Sequence, residues 1–202
     1  MNWPEDFNLP QEHCSDVLNG CYEAPVNPSV ILDIGANVGA FARWAYLRFP
    51  DAKIYCYEPH PGNFALLTKS KTYYNLDKVE LRQVAVADKS DVLTLYENGF
   101  NCGEWSLIKF DEHGTGRIDV QVIDAADLPE ADFIKIDTEG VEPNIVKRLA
   151  DLGRLDKVQG VVLEYHAATH VAPLIWMLQE KGLRLYHLAA HGDHRGVMRF
   201  IR

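Results

Sequence analysis

Apolar and polar positions along the chain change period repeatedly, and the changes mark out elements. Val30-Ile31-Leu32-Asp33-Ile34 is an apolar run broken by one acid and closed by Gly35, the pattern of a parallel strand buried on both faces. Phe41, Trp44, Ala45 and Leu47 then recur at helical spacing, predicting a helix over Phe41–Phe49 closed by Pro50. A short strand over Ile54–Tyr57 ends at Glu58-Pro59, a helix covers Asn63–Tyr74, and Val79–Ala87 reads as a third strand through Leu81, Val84 and Val86. Further on, Asp132–Ile136 is a strand ending at Asp137. It is followed by a helix with Pro143 in its first turn and Gly153 at its end. Val161–Leu163 is a strand running into Glu164-Tyr165-His166, and Val171–Lys181 is a helix ended by Gly182. Leu183–Leu188 and Val197–Ile201 flank His191-Gly192-Asp193-His194-Arg195-Gly196 in a hairpin pattern. The Trp176-Met177-Leu178 stripe reads as core, and Tyr73-Tyr74 as packing at a helix end.

The middle departs from this alternation. Val92–Tyr96, Glu104–Phe110 and Arg117–Ile123 are strand-like with Gly- and Asn-containing turns between them, which predicts a β insertion after the third strand. Residues 1–28 show no sustained period beyond a short helix near Glu12–Leu18 and read as an irregular segment; residues 29–202 read as one domain. Strands alternating with helices predict an α/β domain with a mostly parallel sheet and helices on both faces. The turn of a terminal antiparallel hairpin then falls at the edge holding the C-terminal ends of the parallel strands, where open α/β sheets bind ligands.

Composition narrows the function classes. The chain has 202 residues, with 29 Asp and Glu against 20 Lys and Arg, a net charge of −9. That balance disfavours binding to long nucleic acid, which needs a cationic face. No apolar run spans a bilayer and Met1–Pro10 lacks the basic and apolar regions of a signal peptide, so no membrane association and a cytoplasmic setting are expected. Cys14, Cys21, Cys56 and Cys102 form no C-x-x-C pair and read as inert thiols.

The chemistry begins at Asp33-Ile34-Gly35-Ala36-Asn37-Val38-Gly39. A dinucleotide fingerprint needs glycine at 37 and 40, where this chain has Asn37 and Ala40. The observed acid-x-Gly-x-x-x-Gly spacing suits a nucleoside-binding loop that holds no pyrophosphate. Glu58, at the end of the second strand, is placed to accept both hydroxyls of a ribose. Asp88 follows the third strand and is expected to border the same crevice. Taken singly, each of these reads equally as a turn glycine or a solvated acid; the joint pattern carries the assignment.

With Tyr57-Glu58-Pro59, Val84-Ala85-Val86-Ala87-Asp88, Phe133-Ile134-Lys135-Ile136-Asp137-Thr138-Glu139-Gly140-Val141-Glu142 and Glu164-x-His166 added to the glycine loop, the chain resembles the FkbM family of S-adenosylmethionine-dependent methyltransferases over about residues 29–166. The resemblance implies a Rossmann-like class I methyltransferase sandwich with strand order 3-2-1-4-5-7-6 and a C-terminal antiparallel hairpin. It implies O-methylation of a hydroxyl on a small molecule, sugar or glycan. It also implies that Gly35, Ala36, Asn37 and Gly39 pass under the methionine part of S-adenosyl-L-methionine, and that Asp33 orders the loop or meets the amino group. Glu58 and Pro59 would flank the ribose, Val86 and Asp88 the adenine, and Asp137 the reacting end. Many relatives carry a longer extension before the first strand, so a homodimer covering the open site is a further expectation.

An aliphatic hydroxyl needs its proton accepted before it attacks a sulfonium methyl. His166 is the expected base, oriented by Glu164 or Asp137. A divalent metal is not expected; if one were used, Asp137, Glu139, Glu164 and His166 would hold Mg2+ or Mn2+. His187, His191 and His194 read as exposed loop residues, and His170 lies just beyond the strand end. Phe100 and Trp105 in the insertion either stack on an acceptor or pack the insertion onto the domain. Competing readings are a nicotinamide-dependent oxidoreductase, disfavoured by the glycine pattern, a non-catalytic cofactor-binding module, and methylation of a macromolecule such as RNA ribose.

Overall fold

The computed structural model describes residues 27–97, 105–109, 116–192 and 194–202. Most of the N-terminal segment, the turn from Gly99 to Glu104 with Phe100 and Cys102, the end of the Glu104–Phe110 strand, and Asp193 lie outside the described residues.

The main sheet holds β1 (Val30–Ile34), β2 (Lys53–Tyr57), β3 (Val79–Arg82), β8 (Phe133–Ile136), β9 (Gly160–Tyr165), β10 (Arg184–His191) and β11 (Arg195–Ile201). Their order is β10-β11-β9-β8-β1-β2-β3, the order expected from the resemblance, with β11 antiparallel to both neighbours and the other pairs parallel. Helices α1 (Ala40–Arg48), α2 (Pro61–Tyr73), α3 (Glu142–Asp151) and α4 (Ala168–Glu180) connect the strands. Successive strand residues face opposite sides. Leu32, Ile34, Ile134, Ile136 and Leu163 therefore pack with Ile145, Leu149, Leu174 and Leu178 of α3 and α4. Ile31, Ile54, Phe133 and Val162 pack with Phe41, Ala45 and Leu67 of α1 and α2. Burial on both faces is why the sequence of β1 is apolar throughout except for Asp33.

The stretch Val79–Ala87, expected as one strand, is two. β3 pairs with β2 only from Val79 to Arg82, opposite Ile54 to Tyr57, where β2 itself ends. The chain then crosses into a second sheet as β4 (Ala85–Ala87). β5 (Asp91–Glu97), β6 (Trp105–Ser106) and β7 (Arg117–Asp124) complete it in the order β4-β7-β5-β6, which is the expected β insertion.

The Trp176 assignment is corrected. Leu174 and Leu178, four apart, are fully buried, Met177 packs partly against the core, and Trp176 lies on the opposite side of α4 with 65% of its surface exposed. Strand β9 also extends past its expected end, so Glu164 and Tyr165 are strand residues. Gly196 pairs with Tyr165, which places the β10–β11 turn at the C-terminal edge of the parallel strands, as expected. Among the described residues no helix is long and apolar enough to cross a membrane.

Candidate active site

The ends of β1, β2 and β8 converge on a cleft of about 590 Å3, counting space open to solvent. It sits where the strand order reverses direction around β1, the place open α/β sheets reserve for ligands.

The loop after β1 forms its floor. Gly35 N and Ala36 N both donate to the Tyr57 carbonyl at 2.9 Å, tying the loop to β2. Gly35 has φ 80°, and a Cβ there would stand 1.7 Å from the Asp137 carbonyl oxygen. Only glycine lets the ends of β1 and β8 approach this closely. Gly35 and Asn37 line the cleft, while Ala36 is buried beneath it. Gly39 is not among the lining residues; a Cβ on it would lie 2.7 Å from Leu67 Cδ1 of α2. Its smallness serves helix packing instead.

Glu58 lines the cleft and is 5% exposed. Its Oε2 accepts from Asn37 N and its Oε1 from His60 N, each at 2.9 Å. Burial raises its pKa to about 7 despite these two backbone donors. Pro59 and Val86 also line the cleft, and Val84, Leu95 and Leu107 add apolar wall. Trp105 completes that wall, with its indole stacked on the His60 imidazole at a centroid distance of 4.4 Å and 17° between planes. Ser106, next to it, donates its hydroxyl to the Glu139 carbonyl at 2.5 Å and accepts from Ile108 N at 2.9 Å.

Asp88 and Asp33 also lie outside the cleft. Asp88 is exposed and faces a separate surface hollow with Pro143, Asn144 and Lys147, because the chain has left the main sheet before reaching it. Asp33 is fully buried inside β1, where its Oδ1 lies 3.3 Å from Lys135 Nζ. It cannot reach a ligand's amino group. Burial raises the Asp33 pKa against the opposing charge of Lys135. Lys135 was legible as a charge inside an apolar strand, but not as a site residue. Burial works against its charge, yet Asp137 and Asp33 hold its pKa above the ordinary lysine value.

The turn after β8 brings Asp137, Thr138 and Glu139 to the cleft. Glu142, from the first turn of α3, organises it from below. One oxygen, Oε1, accepts from Thr138 N, Gly140 N and Thr138 Oγ1 at 3.0, 2.9 and 3.1 Å. The same oxygen lies 3.1 Å from His166 Nδ1. Burial works against the Glu142 carboxylate, but His166 and the backbone donors hold its pKa below the usual value.

His166 and Glu164 lie beside the cleft rather than in its lining. The His166 Nε2 faces Glu139 Oε2 at 3.2 Å, Asp137 Oδ1 at 3.8 Å and Glu164 Oε1 at 3.9 Å. Burial favours the neutral ring, but Glu142, Glu139 and Asp137 together raise its pKa to about 10. The carboxylates on both ring nitrogens thus favour the protonated ring. His166 stands here as the cationic partner of a carboxylate cluster, beside rather than inside the cleft. Asp137, Glu139 and His166 also each present one ligand atom within 4.8 Å of the others, spacing that a metal ion could use.

A parallel α/β sheet with a glycine loop, a strand-end carboxylate and an acid-rich turn around one reversal of strand order is the architecture of class I methyltransferases. The solved methyltransferase FkbM from Methylobacillus flagellatus KT shares the fold with a TM-score of 0.65 at 16% identity, over 89% of this chain and 45% of that one. The present chain belongs to the methyltransferase FkbM domain family, which it matches over residues 33–185. It is 24% identical to methyltransferase sdnD of Sordaria araneosa, over 85% of this chain and 78% of that protein. It is 28% identical to 2-O-methyltransferase NoeI of Sinorhizobium fredii, over 58% of this chain and 56% of that protein.

Proposed function

We propose that this methyltransferase uses S-adenosyl-L-methionine to methylate a hydroxyl on a small molecule or carbohydrate. The observation that carries this reading is the cleft itself, which joins Gly35, Glu58 and the Asp137–Glu139 turn in one space. The lining fits the cofactor in three parts. Val84, Val86 and Leu95 suit a flat base, Glu58 suits a diol, and the Asp137 carboxylate suits a cationic sulfonium or ammonium. The kinship with a protein named as a 2-O-methyltransferase supports oxygen as the acceptor atom.

Held by these residues, the cofactor would supply an activated methyl on a sulfonium, and the sulfur would leave as a neutral thioether that keeps the electron pair of the broken carbon–sulfur bond. The chain's task is alignment and proton removal. Asp137 and Glu139 line the cleft, so one of these carboxylates accepts the hydroxyl proton. His166 holds both in place and offsets their mutual repulsion. The acidic surroundings disfavour an anionic acceptor.

Calorimetric titration with S-adenosylhomocysteine tests the cofactor assignment. Binding by the wild type that is lost in Glu58→Ala supports it; no binding by the wild type overturns it. Mass-spectrometric screening of hydroxylated acceptors then tests the acceptor class, with Glu139→Gln expected to lose turnover and keep cofactor binding.

The spacing of Asp137, Glu139 and His166 favours one second reading, in which a divalent cation takes the place of the proton on His166 Nε2. Glu142, bonded to Nδ1, would orient the ring for it. Titration with Mn2+ followed by electron paramagnetic resonance distinguishes the two: a bound-ion spectrum lost in Glu139→Gln supports the metal, and an unchanged free-ion spectrum removes it.

A further inference from the structure

The row of residues that crosses the sheet one step before the strand ends holds Cys56 on β2, Asp33 on β1 and Lys135 on β8 in direct register. All three are within 3% of full burial, on a face otherwise packed with Phe133, Val162 and α1. A charge pair in such a place is poor evidence of stabilisation, because taking both ions out of water costs about as much as their attraction returns. An apolar pair would fill the same volume. Stability alone is thus a weak account of Asp33 and Lys135.

The Lys135 ammonium offers another. Its Nζ donates to the Gly35 carbonyl at 2.5 Å and lies 3.3 Å from both Asp33 Oδ1 and Asp137 Oδ2. Gly35 is the floor of the cleft, and Asp137 is the carboxylate whose other oxygen faces His166. One buried cation therefore grips the cofactor loop and the acidic turn at the same time, from the side opposite the ligand. Asp33 neutralises it and fixes its direction from the neighbouring strand. Cys56, with Sγ 3.7 Å from Asp33 Oδ2, occupies the carboxylate's other oxygen.

We propose that Lys135 is a positioning residue: with Asp33 as its buried counter-ion, it locks the loop at Gly35 to the carboxylate at Asp137, and the pair serves cofactor binding and methyl transfer rather than folding. This rests on the cofactor reading above, so the decisive measurement includes one that needs no cofactor.

The test is the double variant Asp33→Asn/Lys135→Met, which leaves no charge stranded in the core. It is expected to unfold at a temperature no lower than the wild type. Its affinity for S-adenosylhomocysteine should fall roughly tenfold or more, the scale of a lost hydrogen bond to a charged donor. Hydrogen exchange in the ligand-free protein is expected to speed up at the amides of Gly35, Ala36 and Asn37, which are all bonded in the wild type, and not in the middle of β8. Asp33→Asn/Lys135→Gln, which restores an N–H donor for the Gly35 carbonyl, should recover the loop's protection but not the turnover. The proposal is overturned if the methionine variant fails to fold, if its loop exchanges at the wild-type rate, or if glutamine restores nothing. Loss of cofactor binding by the wild type itself would instead count against the function reading and leave the exchange result to decide this one.

Discussion

The backbone N–H of Asn37 donates to Glu58 Oε2 at 2.9 Å, so the carboxylate at the end of β2 props up the glycine loop at the end of β1. The residue expected to hold a ribose is thus also a structural strut of the loop beside it, and its protonation state bears on both tasks.

That state changes near neutrality. The folded pKa of Glu58 is raised from 4.5 to about 7. Because it is raised, the protonated form favours folding; that contribution is full below pH 4.5 and is lost as pH rises through about 7. Binding a diol needs the carboxylate, so affinity runs the other way. S-adenosylhomocysteine should bind more tightly as pH rises toward 7 and level off above it, by up to about tenfold per unit. Calorimetry across this range on wild type and Glu58→Gln checks it: the slope should vanish in the variant.

Gly35→Ala should remove activity. The new methyl would stand 1.7 Å from the Asp137 carbonyl oxygen, at a backbone φ of 80° that alanine resists. The two strand ends must separate, which costs a few kcal/mol, about 2 to 4. Thermal unfolding reads the stability loss and calorimetry the loss of cofactor binding. An alanine variant that binds normally would show that the ends of β1 and β8 need not touch.

His166→Ala is expected to destabilise the fold as well as stop turnover. It leaves Glu142 buried and strips the counter-charge from Asp137 and Glu139. Losing one partner of a buried pair costs about 3–5 kcal/mol. Denaturant unfolding measures it, and a loss under about 1 kcal/mol would contradict the imidazolium assignment.

On α4 the two faces should respond oppositely. Leu178 is fully buried and Leu178→Ala should cost about 2–5 kcal/mol. Trp176 is 65% exposed, and Trp176→Ser should fall within about 0.5 kcal/mol of wild type. Parallel urea titrations compare them.

Much of this was legible in the sequence because it is local. The apolar run of β1, Pro143 in the first turn of α3 and the hairpin around Gly192 each follow from neighbours a few residues away. The failures are of another kind. Apolar residues resume at Val84 after Arg82 and Gln83, so the stretch reads as one strand, whereas pairing stops at Arg82, where β2 itself ends at Tyr57. Trp176-Met177-Leu178 is not a stripe at helical spacing, because residues two apart on a helix point away from each other. His166 stands at the expected strand end, but its surrounding acids come from the turn after β8 and the start of α3, which spacing alone does not show. Lys135 is a charge inside an apolar strand, but its partner Gly35 lies a hundred residues earlier, beyond the reach of any local pattern.

The hydroxyl of Ser106 meets the main-chain oxygen of Glu139 while the neighbouring Trp105 forms wall of the cleft. The Trp105 wall of the cleft and the acidic turn are therefore mechanically joined. An acceptor that displaces the Trp105 strand also pulls on the backbone that carries the acid.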